Sequence, residues 1–311
     1  MDYLFIVLGL FLLVLGGDWL LKAAVGMSVR LNVSKIIIGM TVVSFATSAP
    51  ELIVSIKSAL DGFPDIALGN VVGSNIANVG LILGIVMIIN EMRVDASFFK
   101  SDWPAMVIAS FLMYFILLFD GEIGRFEGAI LFGLLIIFII YLIKSQKGNQ
   151  VEYEIPLEKT MPMYRIIWFL TIGGGALWGG SEFLIKGAVN IAQVFGISDR
   201  IIAVSIVAVG TSIPELAASL IAAIKKESSI SIGNIVGSNI INILSVIGIT
   251  AMIQPIRLVD QKLLSSDLIW MIGFAIVLLP LVLLPKKGYL DRKAGVILVL
   301  SYVIFVYLTF N

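Results

Sequence analysis

Ten stretches of this chain are apolar over about the 20 residues a helix needs to cross a bilayer. They lie near 3–25, 34–60, 66–90, 103–119, 125–144, 163–192, 198–223, 230–254, 267–285 and 291–310. Of the 311 residues, 59% are hydrophobic and 14% charged, and the mean hydropathy is +1.06; these values lie well outside the range of soluble domains. The expectation is an all-α integral membrane protein, multi-pass in the cell membrane, with the lipid bilayer as its surroundings. The opening segment MDYLFIVLGLFLLVLGGDWLL has neither a basic leader nor a small-residue cleavage site, so it reads as the first retained span.

Cysteine and histidine are both absent. That removes disulfides, thiol nucleophiles, soft-metal sites and every imidazole acid, base or ligand, and leaves chemistry based on oxygen. Lys+Arg and Asp+Glu each number 21, so net charge gives no reason to expect nucleic acid. No cofactor and no obligate protein partner is expected.

The polar linker KSQKGNQVEYEIPLEKTMPM separates five apolar stretches from five. If both termini share a side, fourteen basic residues fall on or beside the odd-numbered loops, among them Arg30, Lys35, Arg93, Lys100, Lys144, Lys147, Lys159, Lys225, Lys286 and Lys287. Six fall on the other side: Lys57, Arg125, Lys186, Arg200, Arg257 and Lys262. The positive-inside rule then puts the odd loops in the cytoplasm and both termini outside. A shift of 164 residues superposes the halves, with Lys22 on Lys186, Ser34 on Ser198, Pro50 on Pro214, Glu51 on Glu215 and Asn78 on Asn242. Five spans per half is an odd number, so the second half enters the membrane upside down. The expected organisation is ten transmembrane helices as two inverted-topology five-helix repeats, an arrangement typical of secondary transporters. The first repeat covers 1–144 with its motif in 39–80, a cytoplasmic linker covers 145–162, and the second repeat covers 163–311 with its motif in 203–244.

Two duplicated stretches carry the chemistry. SFATSAPELIVS in the second span matches AVGTSIPELAAS in the seventh. Pro50 and Pro214 have no N–H for the carbonyls of Ala46 and Gly210, so each helix is expected to break or kink there. Freed carbonyls at that depth must line a polar cavity or find another partner. Thr47 and Ser48 stand four and three residues before Glu51, and Thr211 and Ser212 stand likewise before Glu215, which places the hydroxyls near the carboxylate face if the helix persists. IALGNVVGSNIANVG matches ISIGNIVGSNIINIL, with Ser74 and Asn78, and Ser238 and Asn242, spaced i, i+4. Gly69, Gly73, Gly233 and Gly237 form small-xxx-small patterns that read as packing residues.

An intramembrane glutamate costs roughly 2.5–3.5 kcal/mol on insertion scales, and a bound cation recovers that cost. Oxygen ligands without nitrogen or sulfur select hard cations: Ca2+ takes six to eight oxygens flexibly, whereas Mg2+ demands a tighter octahedron. Two glutamates neutralise one Ca2+, and the same oxygens could hold several Na+ instead. Simple kinking by proline and helix–helix hydrogen bonding by Ser74, Asn78, Ser238 and Asn242 are the competing structural readings, which duplication disfavours for the glutamates. Asp18 with Lys22, and Glu182 with Lys186, have the spacing of ordinary i, i+4 ion pairs.

With its paired motifs ATSAPEL…GNVVGSNIAN and GTSIPEL…GNIVGSNIIN, the sequence resembles the sodium/calcium exchanger family of the cation/Ca2+ exchanger superfamily, in its form without a regulatory domain. The resemblance implies ten helices with ion sites between the second, third, seventh and eighth. It implicates Glu51, Glu215, Thr47 and Thr211 chiefly in Ca2+ binding. Ser48, Ser74, Asn78, Ser212, Ser238 and Asn242 would help hold Na+, with backbone oxygens from Ser44 and Ala208. Ala46 departs from the glycine that the second repeat has as Gly210, and Asn242 stands where K+-dependent relatives carry Asp, which argues against K+ cotransport. The expected function is Na+/Ca2+ antiport by alternating access, electrogenic and not enzymatic. Ca2+/H+ antiport is the alternative, a Ca2+-permeable channel comes next, and an intramembrane protease lacks the residues it would need.

Overall fold

The computed structural model describes residues 2–146, 161–194, 208–284 and 288–310. Helices are numbered in chain order, each taken with any π-helical turn inside it. The first half supplies α1 (Asp2–Leu31), α2 (Lys35–Thr47), α3 (Ala49–Leu60), α4 (Pro64–Ile89), α5 (Phe98–Asp120) and α6 (Arg125–Gln146). The second supplies α7 (Met163–Val194), α8 (Ala208–Gly210), α9 (Ile213–Ile224), α10 (Ser228–Ile253), α11 (Leu263–Leu283) and α12 (Arg292–Phe310). Four two-residue strands, β1 (Met92–Arg93), β2 (Glu122–Ile123), β3 (Ile256–Arg257) and β4 (Tyr289–Leu290), lie between them.

Among the described residues, seven helices are long and apolar enough to cross a membrane, or eight when α2 and α3, bent by 46° at their junction, count as one span. The expected span over 163–192 forms the 32-residue helix α7. The start of the expected span over 198–223, most of the linker, and Lys147, Lys159, Arg200, Lys286 and Lys287 lie outside the described residues.

Helix ends follow local rules. Asp2 in the first turn of α1 and Arg30 in its last complement the helix dipole. At the end of α3, Phe63 N–H donates to Ser58 O at 2.8 Å and Gly62 adopts φ +84°, the left-handed turn in which glycine has no steric penalty. The end of α9 repeats this, with Glu227 N–H donating to Ala222 O at 2.8 Å, but the left-handed position holds Lys226 at φ +63°.

Burial singles out α4 and α10. The most apolar stretches of these helices are 72% and 89% buried inside the protein, against 39% or less in α1, α5, α6, α11 and α12. They form the centre, and the halves interlock around them. Strand β1 pairs antiparallel with β4, and β2 with β3, so each half closes the other's ladder. Gly84 of α4 meets Gly295 of α12, and Gly128 of α6 meets Gly248 of α10, a reciprocal exchange between the halves. Helices α1 and α7 pack antiparallel through Gly9 against Gly180 and Gly16 against Gly173. Lipid gives helices no hydrophobic reason to associate, and backbone contact through small residues supplies the attraction.

A Cβ at Gly16 would come within 2.8 Å of Leu177 N and 2.9 Å of Gly173 O. Gly16→Val is therefore expected to cost about 1–3 kcal/mol through overpacking and to lower the melting temperature read from tryptophan fluorescence. Gly133→Ala, where a Cβ meets nothing within 4 Å among the described residues, should melt no lower than the wild type, since alanine is the better helix former. Lys226→Gly should stabilise by about 1 kcal/mol, because it relieves the left-handed backbone of a residue with a Cβ. An unchanged or lower melting temperature would contradict that assignment.

Candidate cation site

Both halves build the same interruption. Helix α2 ends at Thr47, Ser48 leaves the helical region at φ −84° and ψ 7°, and α3 restarts at Ala49 with Pro50 in its first turn. In the other half, Ser212 at φ −87° and ψ 3° separates α8 from α9, whose first turn holds Pro214. A first turn is where proline's missing N–H costs least. The break therefore delivers Glu51 and Glu215 to helix N-termini, where unpaired N–H groups favour negative charge. Both glutamates are 0% exposed.

Ser48 and Glu51, like Ser212 and Glu215, have the spacing of a capping box, yet neither serine caps its own helix. Ser48 Oγ instead donates to Glu215 Oε1 of the opposite half at 3.1 Å. The expectation that Ser48 shares a face with Glu51 holds only where the helix persists, and the helix is interrupted at Ser48. The helical register on which i, i+3 geometry depends ends at Ser48 itself, so the hydroxyl turns across the centre.

Helices α4 and α10 complete the surround. A Cβ at Gly237 would collide with the Met40 backbone and the Ser44 hydroxyl, so the close approach of α2 and α10 there requires a residue without one, as it does at Gly39 and Gly233. Ser44 Oγ lies 2.9 Å from Asn234 O and 2.8 Å from Gly39 O. Thr47 Oγ1 lies 3.3 Å from Asn234 Oδ1 and equally from Ser44 O, a carbonyl that also accepts the Ser48 N–H at 2.9 Å. Under the 164-residue shift the first contact recurs, with Thr211 Oγ1 3.5 Å from Asn70 Oδ1. Each asparagine is held by a serine of its own half: Asn70 Nδ2 donates to Ser55 Oγ at 3.0 Å and Asn234 Nδ2 to Ser219 Oγ at 2.9 Å. Ser74 Oγ is 3.5 Å from Thr211 Oγ1. Sequence reasoning missed Asn70, Asn234, Ser55 and Ser219. Their recurrence at the same offset within the quoted stretches was the available signal.

Several buried oxygens have no hydrogen-bond partner among the described residues: both of Glu51, Oε2 of Glu215, Oγ of Ser212 and Ser238, and Oδ1 of Asn78 and Asn242. Proteins pair nearly all buried polar atoms, and each orphan costs about 1–3 kcal/mol, more when charged. All of these belong to the two duplicated stretches, and the hydroxyls of Ser245 and Thr250, further along α10, are also without a partner among the described residues. Ala208 opens α8, just ahead of the second break. No cluster of three Asp or Glu side chains occurs among the described residues, so the two glutamates carry the formal charge.

Of the flanking acids, Asp18 forms the expected ion pair with Lys22 at 2.7 Å and a second with Lys225, at the end of α9. Glu182 and Lys186 do not pair with each other, contrary to their spacing. Lys186 Nζ instead lies 5.0 Å from the centroid of the Phe5 ring, a cation–π contact to α1.

Comparison with known proteins agrees with this arrangement. The family model described as sodium/calcium exchanger protein matches residues 1–144 and 165–311. The putative antiporter CaxA of Alkalimonas amylolytica is 35% identical, with 99% of this chain and 98% of that protein covered. The sodium/calcium exchanger MaX1 of Methanosarcina acetivorans is 28% identical over the same shares. A structure of the sodium-calcium exchanger NCX_Mj soaked with 2.5 mM Na+ and 0.1 mM Ca2+ superposes with a TM-score of 0.82 at 29% identity, covering 98% of this chain and 97% of that one. The chain belongs to the sodium/calcium exchanger family, multi-pass membrane proteins that exchange cations with Ca2+ and need no cofactor.

Proposed function

We propose that this chain is a secondary antiporter coupling Na+ entry to Ca2+ exit by alternating access, electrogenically and without K+. The observation that carries the reading is the group of unpartnered buried oxygens drawn from both halves. Their hardness fits Ca2+ and Na+, and one shared set of oxygens makes occupancy by the two ions mutually exclusive. Glu51, Glu215, Thr47 and Thr211 hold Ca2+. Ser48, Ser74, Asn78, Ser212, Ser238 and Asn242 complete the Na+ positions. The carbonyls of Ser44 and Ala208 also serve, Ser44 once the Thr47 hydroxyl turns to Asn234. The neutral amide of Asn242 limits the site to two carboxylates, which supports independence from K+.

The reading includes ten spans in two inverted repeats, 1–144 and 163–311, joined by a cytoplasmic linker over 145–162, with both termini outside. The antiparallel packing of α1 and α7 and the reciprocal glycine contacts support it. Helices α1 and α7 move as one gate against the core, to which α1 is tied by Gly17 against Ile221 and by Asp18 with Lys225. Ca2+/H+ exchange is the second reading, favoured by carboxylate oxygens that have no partner and are free to take a proton when the metal leaves.

In proteoliposomes loaded with Na+, uptake of radiolabelled Ca2+ should require the Na+ gradient, accelerate when the interior is made positive because more Na+ charge leaves than Ca2+ charge enters, and vanish in Glu51→Gln and Glu215→Gln. Uptake driven by a pH gradient alone would move the assignment to proton coupling, and uptake with neither gradient would mean a channel. Ca2+ at about 100 times its dissociation constant should stabilise the purified wild type by about 2.7 kcal/mol and leave both variants unmoved. Without ions, each Gln variant should melt no lower than the wild type, since it removes an unpaired buried charge. The chain has no cysteine, so Lys144→Cys and Asp120→Cys can be labelled in right-side-out vesicles against a clean background. An impermeant reagent should reach only the latter, and the reverse pattern would invert the topology.

A further inference from the structure

The asparagines of the centre break the symmetry between the halves. Asn75 Nδ2 donates to Asn239 O, a backbone carbonyl, at 3.1 Å and lies 3.7 Å from the Met271 sulfur. Its counterpart Asn239 makes no return bond and donates within its own helix to Ile235 O at 2.8 Å. A carbonyl can only accept, so the atom of Asn75 facing it must be the nitrogen. The other atom, Oδ1, is thereby committed toward Asn242, whose Nδ2 donates to it at 3.1 Å. That in turn fixes Asn242 with its oxygen on the far side, where Oδ1 is buried and has no partner among the described residues. Asn75, Asn239 and Asn242 are all at most 3% exposed, so water does not compete for these choices.

Asn78, the counterpart of Asn242, has no such guide: neither its Oδ1 nor its Nδ2 has a partner among the described residues. One half therefore presents an amide of fixed polarity and the other an amide free to turn.

We propose that Asn75 is a positioning residue for Na+ binding, which orients the Asn242 amide so that its oxygen, not its nitrogen, faces the cation. This rests on the reading of Asn242 as a Na+ ligand. Asn75 itself touches no ion. A dipole held in place before the ion arrives costs nothing to reorganise on binding. Its release allows the amide to present N–H groups that repel the cation. The effect falls on Na+, because the Ca2+ positions rest on the glutamates and threonines. The same polarity sets what position 242 tolerates: a carboxylate there would put an oxygen against Asn75 Oδ1, so Asn75 also selects a neutral residue at 242.

The experiment measures half-saturation for Na+ and for Ca2+ in proteoliposomes, together with melting temperature, for Asn75→Ala, Asn75→Ser, Asn242→Ala, Asn75→Ala/Asn242→Ala and Asn239→Ala. Asn75→Ala should raise the Na+ half-saturation about tenfold, the scale of one lost charge-assisted interaction, with Ca2+ little changed. Asn75→Ser, which keeps a polar group and serves if the alanine variant does not fold, should shift Na+ in the same direction. The double variant should be no worse than Asn242→Ala alone, since the two residues act as one unit. Asn239→Ala keeps the backbone acceptor and should leave both half-saturations unchanged. If Asn242→Ala impairs Na+ and Asn75→Ala and Asn75→Ser do not, or if they move Na+ and Ca2+ together along with the melting temperature, the positioning role is overturned. If Asn242→Ala leaves Na+ dependence intact, the ligand reading on which it rests fails instead.

Discussion

Two carboxylates stand in the interior of a membrane protein with no cationic side chain among the described residues to neutralise them. Among the described residues the ion pairs are peripheral, joining Asp18 to Lys22 and Lys225, Lys35 to Glu227 and Arg257 to Glu122. Glu51 and Glu215 belong to none of them. Helix N-termini and a single serine hydroxyl from the opposite half offset part of the cost, and the remainder is left for an ion. That deficit explains why both spans are broken. An unbroken helix would give the glutamates no N-terminus to sit on, and its carbonyls would all be engaged.

The second constraint is that neither half builds the site alone. Ser48 reaches Glu215, Thr47 reaches Asn234, Thr211 reaches Asn70 and Asn75 reaches the backbone of Asn239. The scaffold follows the same rule, with each half supplying a strand and a glycine contact to the other. A site made at the seam between two related units senses any relative movement of the elements that bear on it. Helices α1 and α7 contribute none of the unpartnered oxygens, and they contact each other along glycine-lined faces suited to moving as a pair.

Much of this was legible in the sequence because it violated the expected pattern. A glutamate beside a proline in an apolar run is costly, and its repetition 164 residues later located both breaks and both acids. Most of the oxygens left unpartnered come from residues that those stretches had already marked; Ser245 and Thr250, further along α10, are the exceptions. What stayed hidden depends on three-dimensional crossing. The spacing of Ser48 and Glu51 pointed to a shared face, but the break itself turned the hydroxyl to the other half. Asn70 and Asn234 lay in plain view, yet a single asparagine in a helix does not reveal that it accepts from a threonine far away in sequence. Lys186 had a glutamate one turn away and took an aromatic ring instead, a choice set by the neighbouring helix α1. The π-helical turns at Asn78–Leu83 and Asn242–Ile247, which begin at the site asparagines in both halves, also had no mark in composition.

The central claim is that Na+ and Ca2+ compete for one set of oxygens contributed by both halves, with the two glutamates at its heart. Equilibrium binding of radiolabelled Ca2+ to purified protein, titrated with Na+ at constant ionic strength, tests it most directly. The account predicts complete displacement of Ca2+, steeper than one-for-one competition, and loss of Ca2+ binding when either Glu51 or Glu215 becomes Gln. Ca2+ that stays bound at saturating Na+, or that binds normally to both variants, would contradict it.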